Sequence, residues 1–185
     1  MEQPALATER LVLRPFALSD APAVKALAGA PEVARTTLNV PHPYPDGAAE
    51  DWIGRHAGFF ASRQAVVYAV TLRADGALCG SISLGIARQH ERAEMGYWFG
   101  MAFWGRGYAT EAARALCDFG FRSLGLNRIY AQHFAANPAS GRVMQKVGMA
   151  YEGTLRQHHR KDGEYVDSLC YAILREQWLA GAAAG

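Results

Sequence analysis

Cysteine is scarce in this sequence and follows no pattern. Cys79, Cys117 and Cys170 are the three in the chain; they are far apart, sit among apolar neighbours and show no CxxC spacing, so neither a disulfide framework nor a thiolate metal site is expected. Reduced core thiols point to the cytosol. An excess of one charge is missing as well. Nineteen Lys and Arg against seventeen Asp and Glu leave a formal net charge of +2, too little to predict a nucleic-acid partner, so any electrostatic recognition has to be local. No stretch approaches the ~18 uninterrupted apolar residues of a membrane-spanning helix. Residues 1–10 carry acidic side chains where a leader would be apolar, and an unexported, soluble cytoplasmic protein is expected. Metal-ligand spacing, internal repeats and the GxSxG elbow of a serine hydrolase are also absent, which removes metal-dependent and triad chemistry from the leading readings.

What remains suits one domain over residues 1–185, with an ordered core at about 8–178. The chain is 50% hydrophobic and 19% charged, enough to bury a core of its own. Residues 10–16 (RLVLRPF) read as a first strand ended by Pro15. Ser19 reads as the N-cap of a short helix that closes at Gly29 and Pro31. Pro41, Pro43 and Pro45 make residues 36–47 a long loop, and residues 48–61, with Trp52, Ile53, His56, Phe59 and Phe60 at helical spacing, a second helix. Strands are expected at 65–72 and 78–87, joined by Ala74, Asp75 and Gly76, and again at 129–134. A helix at 138–147 ends at Gly148, and strands at 150–159 and 164–174 form a last hairpin before a short helix around Trp178. The class is α+β: a mostly antiparallel sheet of about seven strands with helices on both faces.

Residues 94–111 hold this plan together. Met95, Tyr97, Phe99 and Met101 alternate with Gly96, Trp98 and Gly100, a buried β pattern. Trp104, Gly105, Arg106 and Gly107 interrupt it, and from Tyr108 onward Ala109, Ala112, Ala113 and Leu116 fall at helical spacing. The first amides of that helix lack carbonyl partners and carry the positive end of its dipole, so small residues in front of them make an anion site.

Four segments in this order resemble the GCN5-related N-acetyltransferases, and within them the branch that acetylates ribosomal-protein N-termini: TERLVLRPF at 8–16, EMGYW at 94–98, WGRGYATEA at 104–112 and NPASGRVMQKVGM at 137–149. The resemblance implies an acetyl-coenzyme A donor, direct transfer to an amine, and an opening between the fourth and fifth strands for the pantetheine arm. It implies that Gly105, Gly107, Tyr108, Ala109 and Thr110 hold the pyrophosphate with charge from Arg106. Phe99, Met101, Asn137 and Ser140 are implied to complete the donor site. Trp104 replaces the Gln or Arg that commonly opens the phosphate turn, and Met144 stands where many members have a tyrosine that protonates the departing thiolate; Ser140, three residues after Asn137, is the substitute. Asn137 with Pro138 also makes an ordinary helix N-cap.

For the acceptor, Glu94 is the leading carboxylate, with a pKa raised by burial and a water between it and the amine. His133, His158, His159, Glu164 and Asp167 are its rivals. The implied partner is an amine acceptor such as a protein N-terminus, a ribosomal protein among the candidates, with no nucleic acid or membrane, and the assembly a monomer or homodimer. Polyamines, aminoglycosides and amino acids stay open as acceptors, as does a non-catalytic acyl-coenzyme A sensor. A dinucleotide oxidoreductase is disfavoured, because Thr110 replaces the third small residue and the strand at 129–134 ends without a ribose-binding acid.

Overall fold

The computed structural model describes residues 2–183. Its eight strands form one sheet in the order β1-β2-β3-β4-β5-β6-β8-β7: β1 (Leu6–Ala7), β2 (Leu11–Arg14), β3 (Ala65–Leu72), β4 (Leu78–Ala87), β5 (Arg92–Phe99), β6 (Arg128–Phe134), β7 (Ala150–Lys161) and β8 (Glu164–Leu174). The eighth strand, beyond the seven expected, is the two-residue β1, too short to show a period; it pairs Leu6 with Leu13. Every neighbouring pair is antiparallel except β5 and β6. These two run parallel because helix α5 (Tyr108–Arg122) carries the chain back between them.

Seven α-helices lie among the described residues: α1 (Ala21–Ala28), α2 (Pro31–Ala34), α3 (Ala48–Gly54), α4 (His56–Ala61), α5, α6 (Pro138–Val147) and α7 (Arg175–Ala183). Leu116, Cys117 and Phe121 of α5 and Met144 of α6 are buried with Ile82, Leu84, Ile129 and Ala131 of the sheet, which forms the main core. Gly120 lets α5 lie close, since a Cβ there would come within 2.8 Å of Ile129 Cδ1. Ala21, Val24, Ala28, Ala49 and Ile53 make a second cluster with Phe16, Trp52 and Trp98, so both faces of the sheet are covered.

The start of α1 differs from expectation. A single 3-10 turn at Leu18–Asp20 precedes it, and no Ser19 side chain caps it. Asp20 stands at the N-cap position of α1 without a side-chain bond to it; its carboxylate closes the 3-10 turn, accepting from the Ala17 amide (2.9 Å) and pairing with Arg14 (2.8 Å). The carboxylate adds a full charge for Arg14 and two oxygens for its fork, which a hydroxyl lacks. The expected second helix is broken at Arg55 into α3 and α4, and α2 follows Pro31 where the sequence suggested only a stop.

His56 at that break is 6% exposed. Its ring lies 4.4 Å from Trp52 and 5.4 Å from Phe16 between centroids, and neither nitrogen has a partner among the described residues. Burial, helped by Arg55, pushes the imidazole down to about 4. A neutral folded histidine with an ordinary unfolded pKa near 6.5 contributes stability that is complete above pH ~6.5 and is lost as pH falls toward ~4, on the order of 3 kcal/mol across that window. Urea unfolding at pH 7.5 and 4.5 is expected to show this difference for the wild type and a smaller one for His56→Phe. An equal pH dependence in the two proteins would locate the acid sensitivity elsewhere.

Candidate active site

The ladder between β5 and β6 is only partly formed. It pairs Arg92 with Arg128 through Met95 with Ala131, yet β5 continues to Phe99 and β6 to Phe134. Past Met95 and Ala131 the strands part, and the gap opens into a cavity of about 1030 Å³ whose lining runs from the proline loop to the glycine turn. A parting sheet leaves backbone donors and acceptors facing the gap, which is where an extended ligand finds partners.

At the cofactor end, Gly105 (φ +73°) and Gly107 (φ +80°) adopt the left-handed conformation, and nothing lies within 4 Å of a Cβ added to Gly105. The helical ladder of α5 begins with the Glu111 amide on the Gly107 carbonyl (3.0 Å). The amides of Tyr108, Ala109 and Thr110 therefore have no acceptor inside the helix and present the positive end of its dipole to the cavity. The turn is held from behind. Glu111 accepts from Thr8 Oγ1 (2.6 Å), from the Arg10 amide (2.8 Å) and from Arg10 Nε (2.7 Å), while Arg10 Nη1 donates to the Arg106 carbonyl (3.0 Å) and the guanidinium lies 4.8 Å above the Tyr108 ring. Burial pushes the Glu111 carboxyl up, but these bonds outweigh it and hold it below the usual carboxylate range. The segments 8–16 and 104–112 thus meet through one carboxylate.

Phe99, Gly105, Gly107, Tyr108, Ala109, Thr110, Asn137 and Ser140 all line the cavity. Met101 and Arg106 do not. β5 ends at Phe99, and Met101 enters a 3-10 turn, 47% exposed; the turn is fixed by the Gly100 amide on the Cys79 carbonyl (2.9 Å) and Trp104 Nε1 on the Phe99 carbonyl (2.7 Å). Arg106 contributes a carbonyl to Arg10.

Asn137 is the N-cap of α6, its side-chain oxygen accepting from the Ser140 amide (3.4 Å). The hydroxyl of Ser140 meets Tyr97 of β5 at 2.7 Å, and Tyr97 also donates to the Ser140 carbonyl at 3.2 Å. Burial raises the Tyr97 phenol to about 12, with Ser140 opposing the shift, so Tyr97 stays a hydrogen-bond donor at neutral pH. Tyr97 was not singled out as a site residue from the sequence, although its alternation with Met95 and Phe99 was legible: a phenol on a helix-facing strand face needs a partner.

At the acceptor end, Glu94 lines the cavity but is exposed, so the burial expected of it is not there. Its place on the sheet face away from α5 and α6 leaves it open to solvent. Neither Arg88 nor Arg92 pairs with it among the described residues; Tyr130 donates to its Oε2 at 3.3 Å. Of its rivals, His133 and His159 line the cavity, whereas His158, Glu164 and Asp167 do not. His133 bonds the Phe134 carbonyl through Nδ1 (2.8 Å) and is buried against Gly141. Burial, then neighbouring His158, lowers the His159 pKa, and Glu94 opposes the shift. Trp52 and Trp98 form an aromatic wall, 6.5 Å between centroids.

This arrangement, a sheet parted beside a glycine-led helix, defines an acyltransferase of the acetyl-coenzyme A type. Residues 10–150 match the acetyltransferase (GNAT) domain, and the chain belongs to that family. It is 32% identical to the uncharacterised N-acetyltransferase YoaA of Bacillus subtilis (strain 168) over 173 residues, 93% of this chain and 97% of that one. With YdaF of the same organism, described as a candidate ribosomal N-acetyltransferase, it shares 31% identity over 136 residues, 73% of this chain and 71% of YdaF. The crystal structure of a GNAT-family acetyltransferase from Bacillus anthracis superposes with a TM-score of 0.84 at 28% identity, covering 94% and 99% of the two chains. The protein is an N-acetyltransferase, and acetyl-coenzyme A is its donor. The open glycine turn, the unpaired helix amides and the gap fit that donor. No described helix is long and apolar enough to cross a membrane.

Proposed function

We propose that the acceptor is the α-amine of a protein N-terminus, with a ribosomal protein as the first candidate. The charge of the cavity carries this reading. Among the described residues Glu94 is the only carboxylate in its lining, against Arg55, Arg142 and Lys146. Arg142 and Lys146 stand on α6 toward the glycine turn, where the donor's phosphates lie. A polyamine or aminoglycoside, with several positive charges, therefore finds a single carboxylate to pair with, whereas a peptide end brings one amine and a neutral chain. Amine acidity supports the same choice. An α-amine with pKa about 8 needs over 3 kcal/mol less to become neutral at pH 7 than a lysine amine at about 10.4, which suits an exposed base.

In this reading the amides of Gly105, Gly107, Tyr108, Ala109 and Thr110 hold the pyrophosphate, and Arg106, at the rim, adds charge. Asn137 and Phe99 border the pantetheine arm; Met101 takes no part. The bound donor supplies a thioester whose acyl carbon the neutral amine attacks. Glu94 receives the amine proton through a water, and Ser140, backed by Tyr97, gives a hydrogen bond to the departing thiolate.

Thiol release from acetyl-coenzyme A is the test, across N-terminal peptides, polyamines, aminoglycosides and amino acids. Peptides are expected to be the best acceptors, and Glu94→Gln to lower their kcat ~10- to 100-fold with donor affinity unchanged. A better polyamine than peptide would overturn the acceptor assignment; unchanged turnover of Glu94→Gln at neutral pH would remove Glu94 from the mechanism. Donor binding without turnover on any acceptor would favour a sensor.

A further inference from the structure

Three buried polar atoms of cavity-lining residues have no partner among the described residues: Gln132 Oε1, His133 Nε2 and Ser168 Oγ. His133 packs against Gly141 on the helix-covered face of the sheet, and strand alternation leaves Gln132 and Ser168 on the other. Ser168 is 1% exposed, and both residues line the cavity. An unpaired buried polar atom is destabilising, and such atoms in a ligand cavity are accounted for by a ligand that pairs them.

Their placement says which ligand. Gln132 is the next residue of β6 after the last ladder pair, Met95 with Ala131, so it stands where the strands begin to part. Strand alternation puts it on the same face as Tyr130, whose hydroxyl reaches Glu94. On β8, Cys170 stands opposite Gln132 and Ser168 opposite Phe134, so Ser168 shares that face, one diagonal step from Gln132. Glu94, Tyr130, Gln132 and Ser168 therefore form a polar line across three strands, on the face away from the Tyr97–Ser140 pair.

We propose that Gln132 and Ser168 recognise an α-aminoacyl end, in which a primary amine and a carbonyl are bonded to the same carbon. Gln132 Oε1 accepts an N–H of the attacking amine, leaving the nitrogen lone pair for the acyl carbon, and Ser168 Oγ donates to the carbonyl oxygen of the same residue. The inference rests on the N-terminal reading above and extends it, because an alkylamine or polyamine offers the N–H but no carbonyl. Gln132 and Ser168 have no assigned role in donor binding.

Steady-state kinetics with an alanyl tripeptide and with 2-aminobutane separate the two contacts. Ser168→Ala is expected to lower kcat/KM about 10-fold for the peptide only, so the peptide-to-alkylamine ratio falls by that factor. The pKa difference between the two amines is common to both enzymes and cancels. Gln132→Met keeps the side-chain length without the carbonyl, and is expected to lower both substrates about 10-fold with the ratio within about 2-fold of wild type. Unchanged coenzyme A affinity by calorimetry shows that each variant is folded. An unchanged ratio in Ser168→Ala, or a Gln132→Met effect on neither or only one substrate, overturns the proposal. A measurement on the wild type alone covers a variant that does not fold: an alanine thioamide end, a poorer acceptor at the same position, should react about 10-fold more slowly than the amide, and equal rates overturn the Ser168 contact. Failure of the underlying reading looks different, since wild type would then turn over 2-aminobutane or spermidine but no peptide.

Discussion

Gly107→Glu is expected to weaken acetyl-coenzyme A binding by at least about 10³-fold, or ~4 kcal/mol. Two effects add. Gly107 sits at φ +80°, where an L side chain is strained, and its Cβ would come within 3.3 Å of Arg10 Nη2; such strain costs about 1–3 kcal/mol. The new carboxylate would also stand before the free amides of α5, where a pyrophosphate has to lie, and like charges ~4 Å apart near a protein surface repel by about 4 kcal/mol. Gly107→Ala isolates the first effect and should lose only about 10-fold. Isothermal titration with coenzyme A measures both. A glutamate variant that binds within about 3-fold of wild type would show that the pyrophosphate does not lie on this turn.

Ser140→Ala carries the second large effect, a loss of about 10²-fold in kcat with little change in donor affinity. In the proposed mechanism Ser140 faces the thiolate as it leaves. A thiol of ordinary pKa near 8.5 is a good leaving group, so one donor is sufficient and its loss stays below the penalty for an alkoxide. Tyr97 meets Ser140 at 2.7 Å and, with its phenol near 12, is too weak an acid to surrender its proton to a thiolate. In that mechanism Tyr97 turns its one proton from the Ser140 carbonyl to the serine oxygen, which frees the serine proton for the thiolate, and Tyr97→Phe should cost about 10-fold in kcat. The double variant should be no slower than Ser140→Ala, because the tyrosine works through the serine. Additive losses in the two variants would separate them, and normal kcat in Ser140→Ala would return the leaving-group role to water.

The elements that read correctly are those whose period and punctuation agree. β3 is rich in β-branched residues and an Asp-Gly turn splits it from β4, and α6 is bounded by Asn137 with Pro138 at one end and Gly148 in the left-handed conformation at the other. The glycine turn and α5 were legible for the same reason. What stayed hidden depends on partners distant in sequence. Ser19 looked like a cap, but it falls inside a 3-10 turn that Asp20 closes through Ala17 and Arg14. The alternation continuing to Met101 gave no sign that Gly100 would bond Cys79 and end the strand. The exposure of Glu94 follows from a sheet face that no helix covers at that point; an opening between these two strands was implied by the resemblance, but no local pattern says that the ladder ends at Met95 and Ala131 and leaves Gln132 and Ser168 unpaired beyond it.

That parting also has a mechanical meaning. β1 to β5 and β6 to β8 are two half-sheets stitched by a ladder of only four residue pairs, Arg92 with Arg128 to Met95 with Ala131. A molecule lying in the gap touches both halves at once and acts as a rivet across the seam. Donor binding should therefore appear as heat resistance of the whole chain, about 2.7 kcal/mol at a donor concentration of 100 Kd. Melting curves with intact coenzyme A against its severed halves, pantetheine and adenosine 3′,5′-bisphosphate, would show which part of the molecule spans the seam.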